Sequence, residues 1–243
     1  MPYANGLRRN VKNCLDDFGI PLHLSTTVTR VIGRDRVEAV EVSQVDEHLA
    51  PIPGTERIVP CDTLLLSVGL IPENELSVAA GVELDPHTRG AVVDQSLQTG
   101  VPGIFACGNV LHVHDLADNV TTESERAGAA AAAYALENGA NVEAGDAGTS
   151  CQLKVSPADI AGYALPGRIT AVTLTKLNFR VRRPVDAARV RVLAGDEELF
   201  AGKVRPFKPS VMESFPLPAK VIQRALDLDV SEIVLSVDPI EEA

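Results

Sequence analysis

The sequence predicts an α/β protein whose second half is a small, mostly antiparallel β domain. Segments with helical spacing and segments with strand-like spacing alternate through the first half, whereas short β-rich segments separated by turn residues fill the second. The halves also differ in charge, because residues 1–150 carry a net charge of −12 and residues 151–243 a net charge of +1. A linker rich in Gly, Asn and small polar residues is predicted at 138–150, between a domain at 1–140 and one at 151–243.

The elements of the first half follow from apolar spacing and from turn residues. A helix is predicted over Leu7–Phe18, which Gly19 and Pro21 follow. The run Thr63–Val68 is apolar enough to predict a strand buried on both faces. A long helix is predicted over Thr121–Glu137, with Thr122 as its cap. The other predicted strands are the hairpin pair Val28–Ile32 and Val37–Val42, then Ile58–Val59, Val92–Val93 and Ile104–Cys107.

The second half is predicted to be almost entirely β-structure. Only Ala219–Leu226 has helical spacing there. The predicted strands are Arg168–Leu174, Asn178–Arg182, Arg189–Leu193, Leu199–Val204 and Glu232–Val237.

Composition excludes several classes of protein. The net charge of −11 argues against a nucleic-acid-binding protein, which needs clustered Lys and Arg for phosphates. No apolar run approaches the roughly 18 residues that span a bilayer, and charged residues interrupt the N-terminal segment where a signal peptide would be apolar. None of the four cysteines forms a C-x-x-C pair. We therefore expect a cytoplasmic protein with reduced, mostly structural cysteines, including Cys107.

One stretch carries the clearest functional signal. Residues 99–109 are Thr-Gly-Val-Pro-Gly-Ile-Phe-Ala-Cys-Gly-Asn, and the long predicted helix follows them. A turn at Pro102-Gly103 leads into a short apolar strand that ends at Gly108, where the missing Cβ lets the backbone approach a ligand. Asn109 then supplies a side chain that both donates and accepts hydrogen bonds. A polar group at a strand end, facing a helix N-terminus, is a common ligand site in α/β proteins.

This stretch resembles the second FAD fingerprint of the pyridine nucleotide-disulfide oxidoreductase superfamily, T-x-x-P-G-h-(F/Y)-A-x-G-D. Every fixed position fits except the last, where Asn109 stands in place of Asp. In the family that Asp hydrogen-bonds a ribityl hydroxyl of FAD. Asn109 keeps the length and an acceptor oxygen, so the resemblance still implies flavin binding.

A second motif supports the same resemblance. Residues 67–76 are similar to the family's (A/S)-x-G-x-x-P-N-x-x-L stretch, where the chain leaves the NAD(P) domain, with Glu73 as one extra residue. The resemblance covers about residues 1–140. It implies a partial FAD/NAD(P)-binding Rossmann-like region ahead of the mostly-β C-terminal domain. The variant Cys107–Asp115 resembles most closely the flavoproteins found beside anaerobic glycerol-3-phosphate dehydrogenases.

The resemblance implies an FAD-dependent oxidoreductase, or its C-terminal half, that passes electrons between NAD(P)H and an acceptor. FAD is the expected cofactor, with NAD(P)H as its electron partner. In the family the start of the final helix lies under the flavin pyrimidine ring. The residues assign no catalytic acid or base. The expected cofactor-binding residues are Gly69, Gly108, Asn109, Val110, Glu125, Arg126 and Ala127.

The sequence lacks the G-x-G-x-x-G turn that holds a dinucleotide pyrophosphate. The expected partner is therefore a chain or segment that supplies the N-terminal dinucleotide-binding motifs, and a glycerol-3-phosphate dehydrogenase-type subunit is a second candidate partner. The same absence leaves another function open, namely a non-catalytic subunit or interaction module that retains a remnant of the fold.

Two further clusters allow alternative interpretations. His112, His114 and Asp115 form an H-x-H-D sequence that suits either a metal site or a hydrogen-bonding loop near the flavin. With no third His or Cys nearby in sequence, we expect no metal. The basic run Arg180–Arg183 suits either docking of an acidic partner or, as we expect, a solvated strand edge that discourages aggregation.

Overall fold

The computed structural model describes residues 1–4, 6–67, 69–138 and 152–240. The chain forms two compact units, Met1–Gly69 and Leu70–Ala243. The predicted linker lies, apart from its first residue, outside the described residues. The predicted division at 140/151 therefore stays a prediction.

The first unit contains one short helix and an antiparallel sheet. Helix α1 (Arg8–Cys14) is followed by a 3₁₀ turn over Asp16–Phe18, in place of the single helix predicted over Leu7–Phe18. Gly19 ends this turn in the left-handed conformation, with φ at 64°. The sheet has the order β1-β2-β3 and confirms both the predicted hairpin and the strand at 58–59. Its strands are β1 (Thr26–Ile32), β2 (Ala39–Gln44) and β3 (Arg57–Pro60).

The prediction of a doubly buried strand over Thr63–Val68 is wrong for the described residues 63–67. These residues form no strand, and the side chains of Leu65 and Leu66 are 88% and 74% exposed. A strand buried on both faces needs paired neighbours and covering helices. The described part of the first unit supplies only an antiparallel three-stranded sheet, in which residues 63–67 do not take part.

The second unit begins with helix α2 (Glu75–Ala79) and a series of tight turns held by isolated β-bridges. One bridge pairs Val93 with Thr99 and another pairs Gln98 with Phe105, where short strands are predicted. Helix α3 (Ala117–Asn138) begins four residues before the predicted Thr121. Thr122 therefore lies inside the helix, where its hydroxyl donates to the Asp118 carbonyl, and the prediction that it caps the helix is wrong.

The rest of the second unit is the β-rich part that the sequence predicts, which makes the chain an α/β protein. Strand β8 (Val185–Ala194) is central to a six-stranded sheet of order β10-β8-β12-β4-β6, with β9 also paired to β8. A three-stranded sheet has the order β11-β7-β5. All pairs are antiparallel except β12 with β4. The other strands are β4 (Leu153–Pro157), β5 (Ala161–Leu165), β6 (Arg168–Ile169), β7 (Thr175–Val181), β9 (Glu197–Ala201), β10 (Arg205–Phe207), β11 (Glu213–Leu217) and β12 (Glu232–Pro239).

Two hydrophobic cores stabilise the second unit. The larger lies within the β-rich part and includes Phe179, Phe207 and Ile222, which is contributed by helix α4 (Ala219–Asp227). The smaller joins the α3 region to strand β5, because Ala127 and Leu111 share it with Tyr163 and Leu165. Residues 70–138 and the β-rich part therefore pack as one body. No helix among the described residues is both long and apolar enough to cross a membrane.

Candidate functional site

The fingerprint turn (Gly108–Val110) is a single 3₁₀ turn that follows the bridge residues of the Ile104–Cys107 segment. Gly108 is buried with φ at 71°, a conformation that side chains other than Gly rarely adopt. Asn109 and Val110 are exposed. The Asn109 amide oxygen accepts a 3.1 Å hydrogen bond from the backbone N–H of His114, which leaves the amide N–H groups directed away from this contact. The turn therefore presents a polar side chain on an open surface.

A buried carboxylate holds the fingerprint turn from the side of α3. The Oε1 atom of Glu123 accepts a 2.7 Å hydrogen bond from the backbone N–H of Gly108. The Glu123 side chain is only 5% exposed. Helix α3 thus fixes the turn through a charge-assisted hydrogen bond, the stronger kind available to a backbone donor.

Two histidines meet the same carboxylate. His112 Nε2 lies 2.8 Å from Glu123 Oε2, and His114 Nε2 lies 3.1 Å from Glu123 Oε1. The two imidazole rings are 4.3 Å apart between centroids, and their side chains are 1% and 2% exposed. Both rings therefore contact the same carboxylate. We call His112, His114 and Glu123 the histidine–glutamate cluster.

Tyr163 of β5 extends this cluster into the β-rich part. Its hydroxyl lies 3.0 Å from Nδ1 of His112. Burial raises the pKa of Tyr163, so the hydroxyl stays protonated at neutral pH. The other ring nitrogen of His112 faces the carboxylate. A continuous chain of hydrogen-bond contacts therefore runs from Tyr163 through His112 and Glu123 to the backbone of Gly108.

The cluster contains ionised and neutral groups side by side. Burial acts to raise the pKa of Glu123, but the hydrogen bonds from His112, Gly108 and His114 outweigh it and lower that pKa overall. Burial, together with the neighbouring His112, lowers the pKa of His114. At neutral pH Glu123 is therefore a carboxylate and His114 a neutral imidazole. Nδ1 of His114 is buried without a hydrogen-bond partner among the described residues.

Asp115 anchors the loop that carries the two histidines. Its carboxylate lies 2.5 Å from Nη2 of Arg180 and accepts a 2.6 Å hydrogen bond from the backbone N–H of Met212. The same Arg180 nitrogen donates to the Val113 carbonyl at 2.9 Å. The prediction of a solvated strand edge is wrong for Arg180, because this half-buried side chain joins the loop to the β-rich part.

Asn74, from the second motif, is tied to the fingerprint turn. Its buried amide donates to the Val110 carbonyl at 2.7 Å and to the Arg89 carbonyl at 3.0 Å. Gly90 packs against the neighbouring backbone so closely that a Cβ there would lie 1.7 Å from the Leu111 carbonyl oxygen. The two motifs that are far apart in the sequence therefore meet around one turn.

The predicted site residues fall into different environments. Gly108, Asn109 and Val110 form the turn, whereas Gly69 is an exposed residue of the first unit with φ at 94°. Because α3 begins at Ala117, residues 125–127 lie in its third turn and not at the start of the helix, where the resemblance implies contact with the flavin. The assignment of all seven residues to cofactor binding stays a prediction.

Within α3 the three predicted residues also differ from one another. Glu125 is exposed, Arg126 donates to the Gln95 carbonyl at 3.1 Å, and Ala127 is buried in the smaller core.

Sequence reasoning missed the side chains that hold the turn in place. The sequence predicted no role in the site for Glu123, Tyr163 or Asn74. The helical period offered a partial signal for Glu123, because it lies four residues before Ala127 on the buried face. Tyr163 carried no such signal, since it comes 51 residues after its partner His112.

A cavity of about 390 Å³ lies next to the cluster. His112 and Tyr163 form part of its wall, together with Arg89 and Arg180. Its lining contains no carboxylate, and Leu70 and Ile71 give it an apolar side. The buried cluster is therefore in contact with a space that water and small ligands can enter.

Comparison with known proteins gives the family. Residues 2–133 match the model of a family described as pyridine nucleotide-disulphide oxidoreductase. A probable ferredoxin reductase, CtmF, from Castellaniella defragrans is 32% identical over 111 residues, which cover 45% of this chain and 23% of that protein. Mitochondrial dihydrolipoyl dehydrogenase from Caenorhabditis elegans is 33% identical over 116 residues, which cover 47% of this chain and 22% of that protein.

A more extended match is to an NADH oxidase from Methanocaldococcus jannaschii, which is 24% identical over 194 residues, or 78% of this chain and 40% of that protein. The chain thus spans between about a fifth and two-fifths of the length of these relatives.

The family match covers more than half of the 243 residues and includes both motifs and the fingerprint turn. Members of this family are oxidoreductases that use FAD with NAD(P)H. The chain belongs to the pyridine nucleotide-disulphide oxidoreductase family.

Proposed function

We propose that this chain is the C-terminal part of an FAD-dependent oxidoreductase that passes electrons between NAD(P)H and an acceptor. The observation that carries the proposal is the fingerprint turn, which presents Asn109 to solvent at the motif position where the family binds a ribityl hydroxyl. The buried Gly108 beside it is held by the Glu123 carboxylate, so the turn is fixed before any ligand arrives.

The residues of the turn fit a polyol. The Asn109 amide retains two N–H donors and a second lone pair on Oδ1 after it accepts from His114 N–H. The remaining assignments, Gly69, Val110, Glu125, Arg126 and Ala127, rest on their positions in the motifs. Bound FAD would supply the electron transfer itself, and the role of this chain is to bind and orient it. No residue of the chain supplies the pyrophosphate turn, since the sequence contains no G-x-G-x-x-G.

The missing turn implies a partner, which we propose is a chain or segment with dinucleotide-binding motifs. Leu65 and Leu66 support this, because they belong to an apolar run typical of a buried parallel strand and are nevertheless exposed. A parallel sheet from such a segment would cover them. A glycerol-3-phosphate dehydrogenase-type subunit is a further proposed partner, on the likeness of Cys107–Asp115 alone.

The proposal is tested by flavin absorbance with and without the partner. The purified chain is expected to be colourless or weakly yellow, and co-expression with a chain carrying G-x-G-x-x-G motifs is expected to give a yellow complex that oxidises NAD(P)H with a dye acceptor. Asn109→Ala in that complex should weaken FAD binding about three- to tenfold, the value of one hydrogen bond, whereas Asn109→Asp and the exposed control Asn10→Ala should not.

Two results would contradict this proposal. A stoichiometric flavin spectrum from the chain alone would show that no partner is needed. A complex that forms without flavin or activity would favour the second candidate function, a non-catalytic subunit or interaction module. The observation in favour of that second candidate is the missing pyrophosphate turn.

We also propose that the protein is cytoplasmic. Cys14, Cys61 and Cys107 are free thiols among the described residues, which suits a reducing compartment.

A further inference from the structure

The histidine–glutamate cluster has the composition of a metal site. Two imidazoles and one carboxylate come together from two different elements, the loop at 112–114 and helix α3. Each side chain offers one atom that can ligate a metal, and these three atoms all lie within 4.8 Å of one another. The sequence predicted no metal because it showed no third His or Cys near the histidines, whereas in the structure Glu123 supplies a third ligand from the helix.

We propose that His112, His114 and Glu123 bind one divalent transition-metal ion of the zinc class. This site is separate from the proposed flavin function and does not depend on it.

The distances fit such an ion. In a tetrahedral site, bonds of about 2.0–2.1 Å to nitrogen and oxygen place neighbouring ligand atoms about 3.3–3.4 Å apart. The two nitrogen-to-oxygen separations in the cluster, 2.8 Å from His112 to Oε2 of Glu123 and 3.1 Å from His114 to Oε1, are somewhat shorter than this. A shift of a few tenths of an ångström would therefore open the cluster around an ion.

Neighbouring groups already hold two of the proposed ligands, His112 and Glu123, in a fixed orientation. With a metal on Nε2 of His112, its Nδ1 carries the proton and faces the Tyr163 hydroxyl, 3.0 Å away. The Glu123 carboxylate is oriented by the Gly108 N–H.

The number of ligands predicts the type of site. Three protein ligands are the set used by metal sites that keep a position open for water or substrate. Of the three proposed ligands, His112 lines the cavity of about 390 Å³, so the cluster borders that space. Asp115 pairs with Arg180, which is one of the two arginines in the wall of that cavity; the other is Arg89.

A cluster held together only by hydrogen bonds would have the same distances, so the test is retention of a metal. The tag-free chain is dialysed against a chelator and titrated with Co²⁺, which reports its ligands by visible d–d absorption. We expect one equivalent to bind and Zn²⁺ to displace it. His114→Ala and Glu123→Gln should weaken Co²⁺ binding by at least about tenfold. The exposed control His48→Ala should leave it unchanged.

A second measurement uses the unaltered chain and so does not depend on the variants folding. Long-range ¹H–¹⁵N NMR of the imidazoles is recorded before and after one equivalent of Zn²⁺. Loss of the Nε2 protons of His112 and His114, with His48 unaffected, is the expected result. If both buried imidazoles keep their Nε2 protons, or if Co²⁺ shows no one-to-one binding, the cluster is only a hydrogen-bond network and the proposal is wrong.

Discussion

The carboxylate of Glu123 accepts a 2.7 Å hydrogen bond from the backbone N–H of Gly108, 15 residues earlier in the chain. This contact joins the long helix to the turn that carries the family's flavin motif. It places a buried negative charge against the turn, and the two imidazoles of His112 and His114 surround the same carboxylate. The turn is thus held by side chains outside the motif that identifies it.

Loss of the Glu123 carboxylate should therefore destabilise the second unit. Glu123→Ala leaves the Gly108 N–H and two buried imidazoles without their acceptor, and we expect a loss of about 2–4 kcal/mol in the free energy of unfolding. Urea unfolding with a chelator present measures the hydrogen-bonded cluster alone. Glu125→Ala, an exposed neighbour on the same helix, should change stability by about 0.5 kcal/mol or less. Equal effects of the two variants would show that the cluster contributes nothing.

Replacing Gly108 and replacing Gly128 by Ala should change the stability of the chain in opposite directions. Gly108 has φ at 71°, and a Cβ there would lie 3.4 Å from Val120, so Gly108→Ala is expected to cost about 1–2 kcal/mol. Gly128 lies inside α3, and a Cβ there would meet nothing within 4 Å. Gly128→Ala should stabilise the chain by about 0.5–1 kcal/mol. Thermal unfolding of both variants measures the difference, and a stabilising Gly108→Ala would refute the conformation of the turn.

Gly90→Ala should lower the free energy of unfolding more than Gly108→Ala does. The added Cβ would overlap the Leu111 carbonyl, which is backbone and has no rotamer by which to move away. We expect a loss of at least about 3 kcal/mol or a failure to fold, measured as soluble yield and unfolding midpoint. Gly100→Ala is the matched control, because its nearest neighbour is the end of the Arg168 side chain at 3.5 Å. A Gly90→Ala variant of normal stability would show that the Leu111 carbonyl does not lie against position 90.

Asp115→Asn should loosen the histidine loop from the β-rich part. The half-buried carboxylate contacts both Arg180 and the Met212 N–H, and the variant loses the charge that strengthens both contacts. We expect a cost of about 1–3 kcal/mol in denaturant unfolding. Glu197→Gln removes the exposed pair with Arg224 and should cost about 0.5 kcal/mol or less. If the exposed pair costs as much as the half-buried one, burial does not strengthen the Asp115 contact.

Protonation of Glu232 should cause a small loss of stability in acid. Hydrogen bonds from Ser156 and Lys154 lower its pKa below the ordinary value of 4.5. A carboxylate whose pKa is lower in the folded state contributes stability above its unfolded pKa and loses it as the pH falls through the folded value. Because the Glu232 side chain is 41% exposed and solvent weakens its contacts, the effect should be about 0.5 kcal/mol. Urea unfolding at pH 7 and below pH 4 measures the loss of stability in acid. That loss should be about 0.5 kcal/mol smaller in Glu232→Gln than in the unaltered chain.

The sequence identified the turn but not the side chains that support it. Pro102-Gly103 and Gly108-Asn109 impose their backbone conformations within a few residues, so the pattern is visible locally. Glu123 reaches the turn at Gly108 from 15 residues further along the chain, and Tyr163 reaches His112, just after the turn, from 51 residues further along. Spacing along a helix shows which side a residue faces, but it does not show what lies opposite.

The sequence alone determined the family motif, the α/β class and the β-rich second half, because these follow from local backbone preferences and from the period of apolar residues. Only the tertiary structure decided that two histidines converge on one buried carboxylate, and that Leu65 and Leu66 lie exposed instead of in a strand. The physical reason is the same in both cases. A buried charge and a doubly covered strand are each stable only with particular neighbours, and the local sequence does not show whether those neighbours are present.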